Sequence, residues 1–171
     1  MKVRDSPKLI PTRDLELILQ TPAEVLAQIE ALSPADRAQV SPAWLERVKV
    51  TPPGDVWSLG FSMIERASGA VVGSCGFKGP PNESGAVEIA YSVAEEYRGR
   101  GYATEAAAAL TEFALGQENI RLVIAHTLPQ AGPSPRVLMK CMYIKVGEVI
   151  DPEDGRVWRW EKRRTPAPAS D

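Results

Sequence analysis

Proline decides where this chain can form unbroken regular structure. Prolines stand at positions 7, 11, 22, 34, 42, 52, 53, 80, 81, 129, 133, 135, 152, 166 and 168, and residues 82–128 hold none. A proline lacks the amide donor and breaks helix interiors and central strands. The total of 15 is well above the about eight or nine that average usage would give, so the gap does not come from scarcity. Residues 82–128 are where a long strand, loop and helix can run, and where the chemistry is to be sought.

Bulk properties narrow the class. A length of 171 residues with 44% hydrophobic and 25% charged content suits one globular domain with a real core, spanning 1–171. The ordered core is expected over about 10–163, with 1–9 and 165–171 as loose termini. No apolar run approaches the ~18 residues of a membrane span, and Met1 to Asp5 lacks the apolar stretch of a signal peptide. The expectation is a cytoplasmic protein with no membrane partner. A net charge of -2 argues against a dedicated nucleic-acid binder. Cys75 and Cys141 read as reduced, buried residues, and one His with two Cys is too few for a zinc site, so no metal is expected. Catalysis would then fall to carboxylates, hydroxyls, backbone amides or a bound cofactor.

The local signals give an element order. Arg13 to Leu19 reads as a strand. Thr21-Pro22-Ala23-Glu24 is a capping box with proline at the first helical position, opening a helix to about Leu32. Ser33-Pro34 and Ser41-Pro42 repeat the start signal, the second opening a short helix that carries Trp44 and Leu45. Val56 to Glu65 and Val71 to Phe77 read as a hairpin around Ala67-Ser68-Gly69. Val87 to Val93 alternates, with Val87, Ile89, Tyr91 and Val93 on one face and Glu88, Ala90 and Ser92 on the other. Thr104 to Leu115 is an alanine-rich helix, Arg121 to Thr127 a strand, and Ser134-Pro135 starts a helix to about Cys141. Val146 to Ile150 and Arg156 to Lys162 form a closing hairpin. Hairpins plus one strand–helix–strand unit imply an α/β (α+β) fold, with a mixed central sheet of about seven strands and helices packed on it.

The central motif is Glu96-Tyr97-Arg98-Gly99-Arg100-Gly101-Tyr102-Ala103-Thr104. It lies between a strand and a helix N-terminus, whose unpaired N–H groups and partial positive charge suit a phosphate. Gly99 and Gly101 allow close backbone approach, and Arg98 and Arg100 add charge. A dinucleotide loop would need a third glycine where Thr104 stands, and a P-loop would need Gly-Lys-Ser/Thr. An acyl-CoA pyrophosphate loop remains, beside the plainer reading of a glycine turn with two solvated arginines.

Two segments carry a family resemblance. Val87 to Val93 followed by Tyr97 to Ala106, and Pro129 to Val146 (PQAGPSPRVLMKCMYIKV), together resemble the GNAT family of N-acetyltransferases. Within it they look like the branch of ribosomal-protein N-terminal acetyltransferases. The resemblance covers roughly residues 10–163. It implies the GNAT acyl-CoA N-acyltransferase fold, with helices on both faces and a splayed parallel strand pair, 87–93 and 121–127, holding acetyl-CoA. It assigns the backbone of Tyr91, Ser92 and Val93 to the pantetheine arm. It assigns the amides of Arg98, Gly99, Arg100, Gly101, Tyr102, Ala103 and Thr104 to the pyrophosphate. Glu96 departs from the family's Gln/Arg at the first position of that loop.

The implied reaction is attack of a primary amine, small molecule or protein N-terminus, on the acetyl thioester. A backbone N–H near Ser92 or Val93, at an irregular part of the strand, would stabilise the oxyanion. Glu88 matches a water-linked base in similar enzymes, or is a carboxylate on a half-exposed strand face. Ser134 could approach the thiol, or is the N-cap of the following helix. His126 reads as a sheet residue at a strand end beside the notch. Trp44 packs, or lines an acceptor pocket. The family often forms dimers, so a homodimer is a further expectation.

Three positions depart from the family. Leu138 stands where many GNATs carry a thiolate-protonating Tyr, Ala131 where a cofactor-contacting Asn is usual, and Met142 where Gly precedes an aromatic. At a turn with positive φ the last should reshape the backbone. An acetyl-CoA-dependent N-acetyltransferase and a catalytically weakened acyl-CoA-binding sensor or interaction module both remain compatible with these residues.

Overall fold

The computed structural model describes residues 8–166. Along the chain run β1 (Leu9–Pro11), β2 (Leu15–Leu19), α1 (Pro22–Glu30), α2 (Pro34–Arg37), α3 (Pro42–Val50), β3 (Phe61–Glu65), β4 (Val71–Phe77) and β5 (Ala86–Val93). There follow α4 (Tyr102–Leu115), β6 (Leu122–Thr127), α5 (Pro133–Lys140), β7 (Ile144–Asp151) and β8 (Gly155–Arg163). The strands form one mixed sheet in the order β1-β2-β3-β4-β5-β6-β8-β7, antiparallel except for β5 and β6. Eight strands stand where about seven were expected.

Start signals act as the sequence suggests. Thr21 and Glu24 form the reciprocal capping box of α1, and the Ser33 and Ser41 side chains cap α2 and α3. The α4 stripe of Ala106, Ala107, Leu110 and Ala114 is fully buried against the sheet, facing Leu15, Leu17, Phe61 and Val87 in one core. Small alanines let α4 lie close to the strands, and the rings of Trp57, Phe77 and Phe113 pack at tilted angles at its C-terminal end. α1 and α3 pack on each other and cover the opposite face through Val25, Ile29 and Val48.

Several expectations are corrected. Leu9–Pro11 is a strand, pairing Leu9 with Ile18, so regular structure begins before residue 10; Pro11 is tolerated at a sheet edge. Residues 1–7 and 167–171 of the expected loose termini lie outside the described residues. Val56 to Leu59 is turn, not strand, because the Asp55 carboxylate accepts from Trp57 N–H and the Asp55 carbonyl from Leu59 N–H. Register shifts fall between Met63 and Ile64 on β3 and between Lys145 and Gly147 on β7, while β5 runs to Val93 in regular register with β4.

The α5 boundaries differ for a clear reason. Its N-cap is Gly132, not Ser134, and no side chain caps it. Pro133 takes the first helical position and Pro135 the third, where the missing N–H groups have no intrahelical partner anyway. At the other end Met142 keeps φ 66, so the turn retains the left-handed geometry rather than being reshaped. Tyr143 N–H bonds the Leu138 carbonyl and Met142 N–H the Met139 carbonyl, the paired closure of a Schellman motif. Buried Leu138 and Tyr143 supply its hydrophobic contact. A left-handed residue with a Cβ is strained, so Met142→Gly is expected to raise stability by roughly 0.5–1 kcal/mol. A higher urea midpoint at unchanged m-value would show it; a lower midpoint would contradict it.

Candidate active site

The parallel pair opens into a notch. β5 and β6 pair at Ala86↔Leu122, Val87↔Val123 and Glu88↔Ile124 only. Both strands continue, β5 held by β4 as far as Gly73↔Val93, and β6 held by β8 as far as Thr127↔Trp158. Beyond Glu88 and Ile124 the facing edges of β5 and β6 lack each other. Backbone groups there need partners, and an extended amide-bearing chain can meet them as an added strand does.

The glycine loop lies at the wide end of this notch. After β5 a single 3₁₀ turn, Glu95–Tyr97, leads to Gly99 at φ 77 and Gly101 at φ 82. Only glycine adopts these angles without strain. A Cβ on either would meet nothing within 4 Å, so conformation and not space demands glycine here. Gly101 is the N-cap of α4 with no side-chain cap, leaving the first-turn N–H groups to other partners. Arg98 Nε donates to the Val93 carbonyl at 3.2 Å. Arg100 sits over the Tyr97 ring and lies 3.7 Å from Glu65. Tyr102 is buried with its hydroxyl on Glu65, so its part in the loop is its backbone. The loop, its helix dipole and two arginines fit a phosphate group.

At the narrow end stands a polar cluster that sequence reasoning left in pieces. Glu88 Oε1 lies 2.8 Å from His126 Nδ1 and 3.3 Å from Lys78 Nζ. Parallel register places Ile124 beside Glu88 and His126 two residues on, on the same face. Lys78 also approaches Asp154 at 3.9 Å. Burial opposes the Lys78 charge, but the attraction of Glu88, Asp154 and Asp151 outweighs it and holds the ammonium above its usual range. His126 therefore belongs with Glu88, and the missed signal was register across the sheet.

Ser134 stands apart from this cluster. It is exposed near the start of α5, and its carbonyl accepts from Tyr91 Oη at 3.4 Å. Tyr91 points to the face of β5 opposite Glu88, where burial pushes its phenol up to about 12. Leu138 is a core residue with no exposure, so no hydroxyl stands at the family's tyrosine position. The Cys75 thiol is pushed up to about 12 by burial, which removes it as a nucleophile.

A cleft of about 430 Å³ opens between α1, α3 and the Glu88 face of the sheet. Gln20, Gln28, Trp44, Ser74, Ala90 and Ser92 are among its lining residues, and no Asp, Glu, Lys or Arg lines it. Trp44 thus faces the cleft. A second cleft of about 460 Å³ lies between β1 and α4, away from the notch.

A mixed sheet with one splayed parallel pair, and an anion-shaped loop opening the helix between its strands, defines an acyl-CoA-type acyltransferase architecture. The chain belongs to the GNAT acetyltransferase family: residues 10–143 match the model described as "Acetyltransferase (GNAT) domain". A curated relative, the uncharacterized N-acetyltransferase p20 of Bacillus licheniformis, is 30% identical over 96 residues, 56% of this chain and 54% of that protein. The chain spans about half the length of the curated relatives it matches. Among solved structures, ribosomal-protein-S5-alanine acetyltransferase from Vibrio fischeri superimposes with TM-score 0.67 at 14% identity, covering 92% of this chain and 97% of that one. Aminoglycoside acetyltransferase AAC(6')-Ib in complex with coenzyme A gives 0.65 at 16% identity, covering 88% and 95%.

Proposed function

We propose that this protein transfers an acetyl group from acetyl-CoA to a primary amine, and that the acceptor is a protein N-terminal amine. The observation that carries the reading is the splay of β5 from β6 beyond Glu88 and Ile124, with the 98–104 loop at its wide end. Bound acetyl-CoA supplies an activated acetyl thioester. The amides of Arg98 to Thr104 hold the pyrophosphate, and the backbone of Tyr91, Ser92 and Val93 orients the arm along β5. The Val93 N–H, which points away from β4, stabilises charge on the carbonyl oxygen as the amine attacks. The carbon–nitrogen bond forms, the carbon–sulfur bond breaks, and Glu88 takes the amine proton directly or through a water. With Leu138 in place of a tyrosine, the departing thiolate takes its proton from solvent.

The cleft supports a choice of acceptor. Its lining has hydroxyls, amides, Trp44 and apolar side chains but no carboxylate. A polycationic aminoglycoside would leave several ammonium groups without counter-charges there. An N-terminal residue with a small, uncharged side chain brings one amine and a backbone that Gln20, Ser74 and Ser92 can meet.

Leu138, Ala131 and Met142 favour a second reading, an acyl-CoA-binding module with little turnover. Ligand-induced stabilisation tests what both share. At 100-fold excess over Kd, acetyl-CoA should add about 2.7 kcal/mol, a rise in Tm of roughly 5–10 °C for this size. No shift with acetyl-CoA or CoA at saturating concentration would overturn both readings. Thiol release over a panel of peptide amines, simple amines and aminoglycosides then separates transfer from binding alone.

A further inference from the structure

The reading of Glu88 as proton acceptor leaves open which of its two oxygens acts and what aims it. Oε1 is occupied twice, by His126 Nδ1 at 2.8 Å and Lys78 Nζ at 3.3 Å. Oε2 has no partner among the described residues and is not among their buried unpaired atoms, so it faces outward. The His126 ring cannot itself meet the amine: Nε2 is buried with no partner, and the ring's one polar contact is Glu88. The neighbouring charges are already engaged. Arg159, opposite His126 on β8, bonds Glu161 at 2.9 Å, and the Asp151 carboxylate accepts from the Glu153 and Asp154 amides.

We propose that His126 is a positioning residue: its Nδ1–H, with Lys78, fixes Glu88 Oε1 so that Oε2 is the oxygen presented to the acceptor amine. The inference rests on the acetyltransferase reading above. It assigns His126 a place in the reaction although the side chain never touches substrate. An imidazole held at the point where the strands part locks the carboxylate rotamer at the apex of the notch, where an unheld glutamate would sample several.

Three variants and one spectrum test it. His126→Leu should lower kcat about tenfold or more while KM for acetyl-CoA stays within twofold. His126→Asn places an amide donor near the position of Nδ1 and should recover most of that loss. Equal losses in Leu and Asn, or none in Leu, would overturn the clamp. If His126→Leu fails to fold, His126→Gln takes its place, since its amide reaches past the Nδ1 position; Gln equal to Asn would count against the proposal. Glu88→Gln keeps the two ideas apart. Loss there without loss in His126→Leu removes the clamp and keeps the base, and no loss in either removes both. His126 is the only histidine in the chain, so its ¹⁵N signals are unambiguous. They should place the proton on Nδ1 and shift in Glu88→Gln; a proton on Nε2 would overturn the assignment even where no acceptor is turned over.

Discussion

Glu88→Gln is expected to lower kcat about 100-fold or more, the scale of losing a general base, with no change in the affinity for acetyl-CoA. Glutamine keeps the shape and can still bond Lys78 or His126, but it cannot take a proton. Substrate binding rests on the loop and on backbone groups of β5, which the change does not touch. Steady-state kcat, with acetyl-CoA affinity measured separately by calorimetry, decides it. A kcat within twofold of wild type would place the proton acceptor elsewhere. A parallel fall in cofactor affinity would mean that Glu88 shapes the notch and does not serve the chemistry.

The second large effect is on the scaffold. Gly73 pairs with Val93 across β4 and β5, and a Cβ at Gly73 would sit 2.2 Å from the Ser92 carbonyl oxygen and 3.0 Å from Val93 Cα. The obstacle is backbone and cannot swing aside. Gly73→Ala must push β5 away from β4 at the end that borders the notch. Forced overpacking of this kind costs about 2–3 kcal/mol, a fall in Tm of roughly 4–12 °C. Acetyl-CoA binding should weaken as well, because Ser92 and Val93 are the displaced residues. Thermal unfolding with and without acetyl-CoA measures both. An unchanged Tm would show that the strands part there without strain. A lowered Tm with undiminished ligand stabilisation would detach this stretch of β5 from the cofactor.

What the sequence disclosed follows from the range of the interactions involved. The stretch from Glu96 to Leu115 was legible because glycine conformation, helix capping and alanine spacing act within a few residues. So were the capping box at Thr21 and the serine caps at 33 and 41. The short strand at Leu9 was not, since three residues ending in proline have no periodicity to detect. Ser134 looked like a cap because serine before proline usually is one; a second proline at 133 moved the helix start to Gly132. A side chain at Met142 favours a reshaped turn on local grounds, yet the buried Leu138–Tyr143 contact and two closing hydrogen bonds hold the left-handed geometry. The Glu88–His126 contact spans 38 residues and depends on the register of the one parallel pair. Local pattern carries no trace of that register. Trp44 reaches its cleft only through the packing of α3 on α1, for the same reason.

The proline map keeps its meaning in three dimensions. The proline-free residues 82–128 contain β5, the loop, α4 and β6, the frame of the notch. Prolines 22, 34 and 42 start the helices beside the cleft, and 133 and 135 start the helix beside Tyr91.

Thiol release from acetyl-CoA, followed together with mass-spectrometric detection of the acetylated amine, tests the central claim most directly. The expected result is one thiol released per acetyl group transferred, with peptides bearing a small, uncharged N-terminal residue favoured over aminoglycosides. Stabilisation by acetyl-CoA with no thiol release from any amine would contradict catalysis and leave an acyl-CoA-binding module.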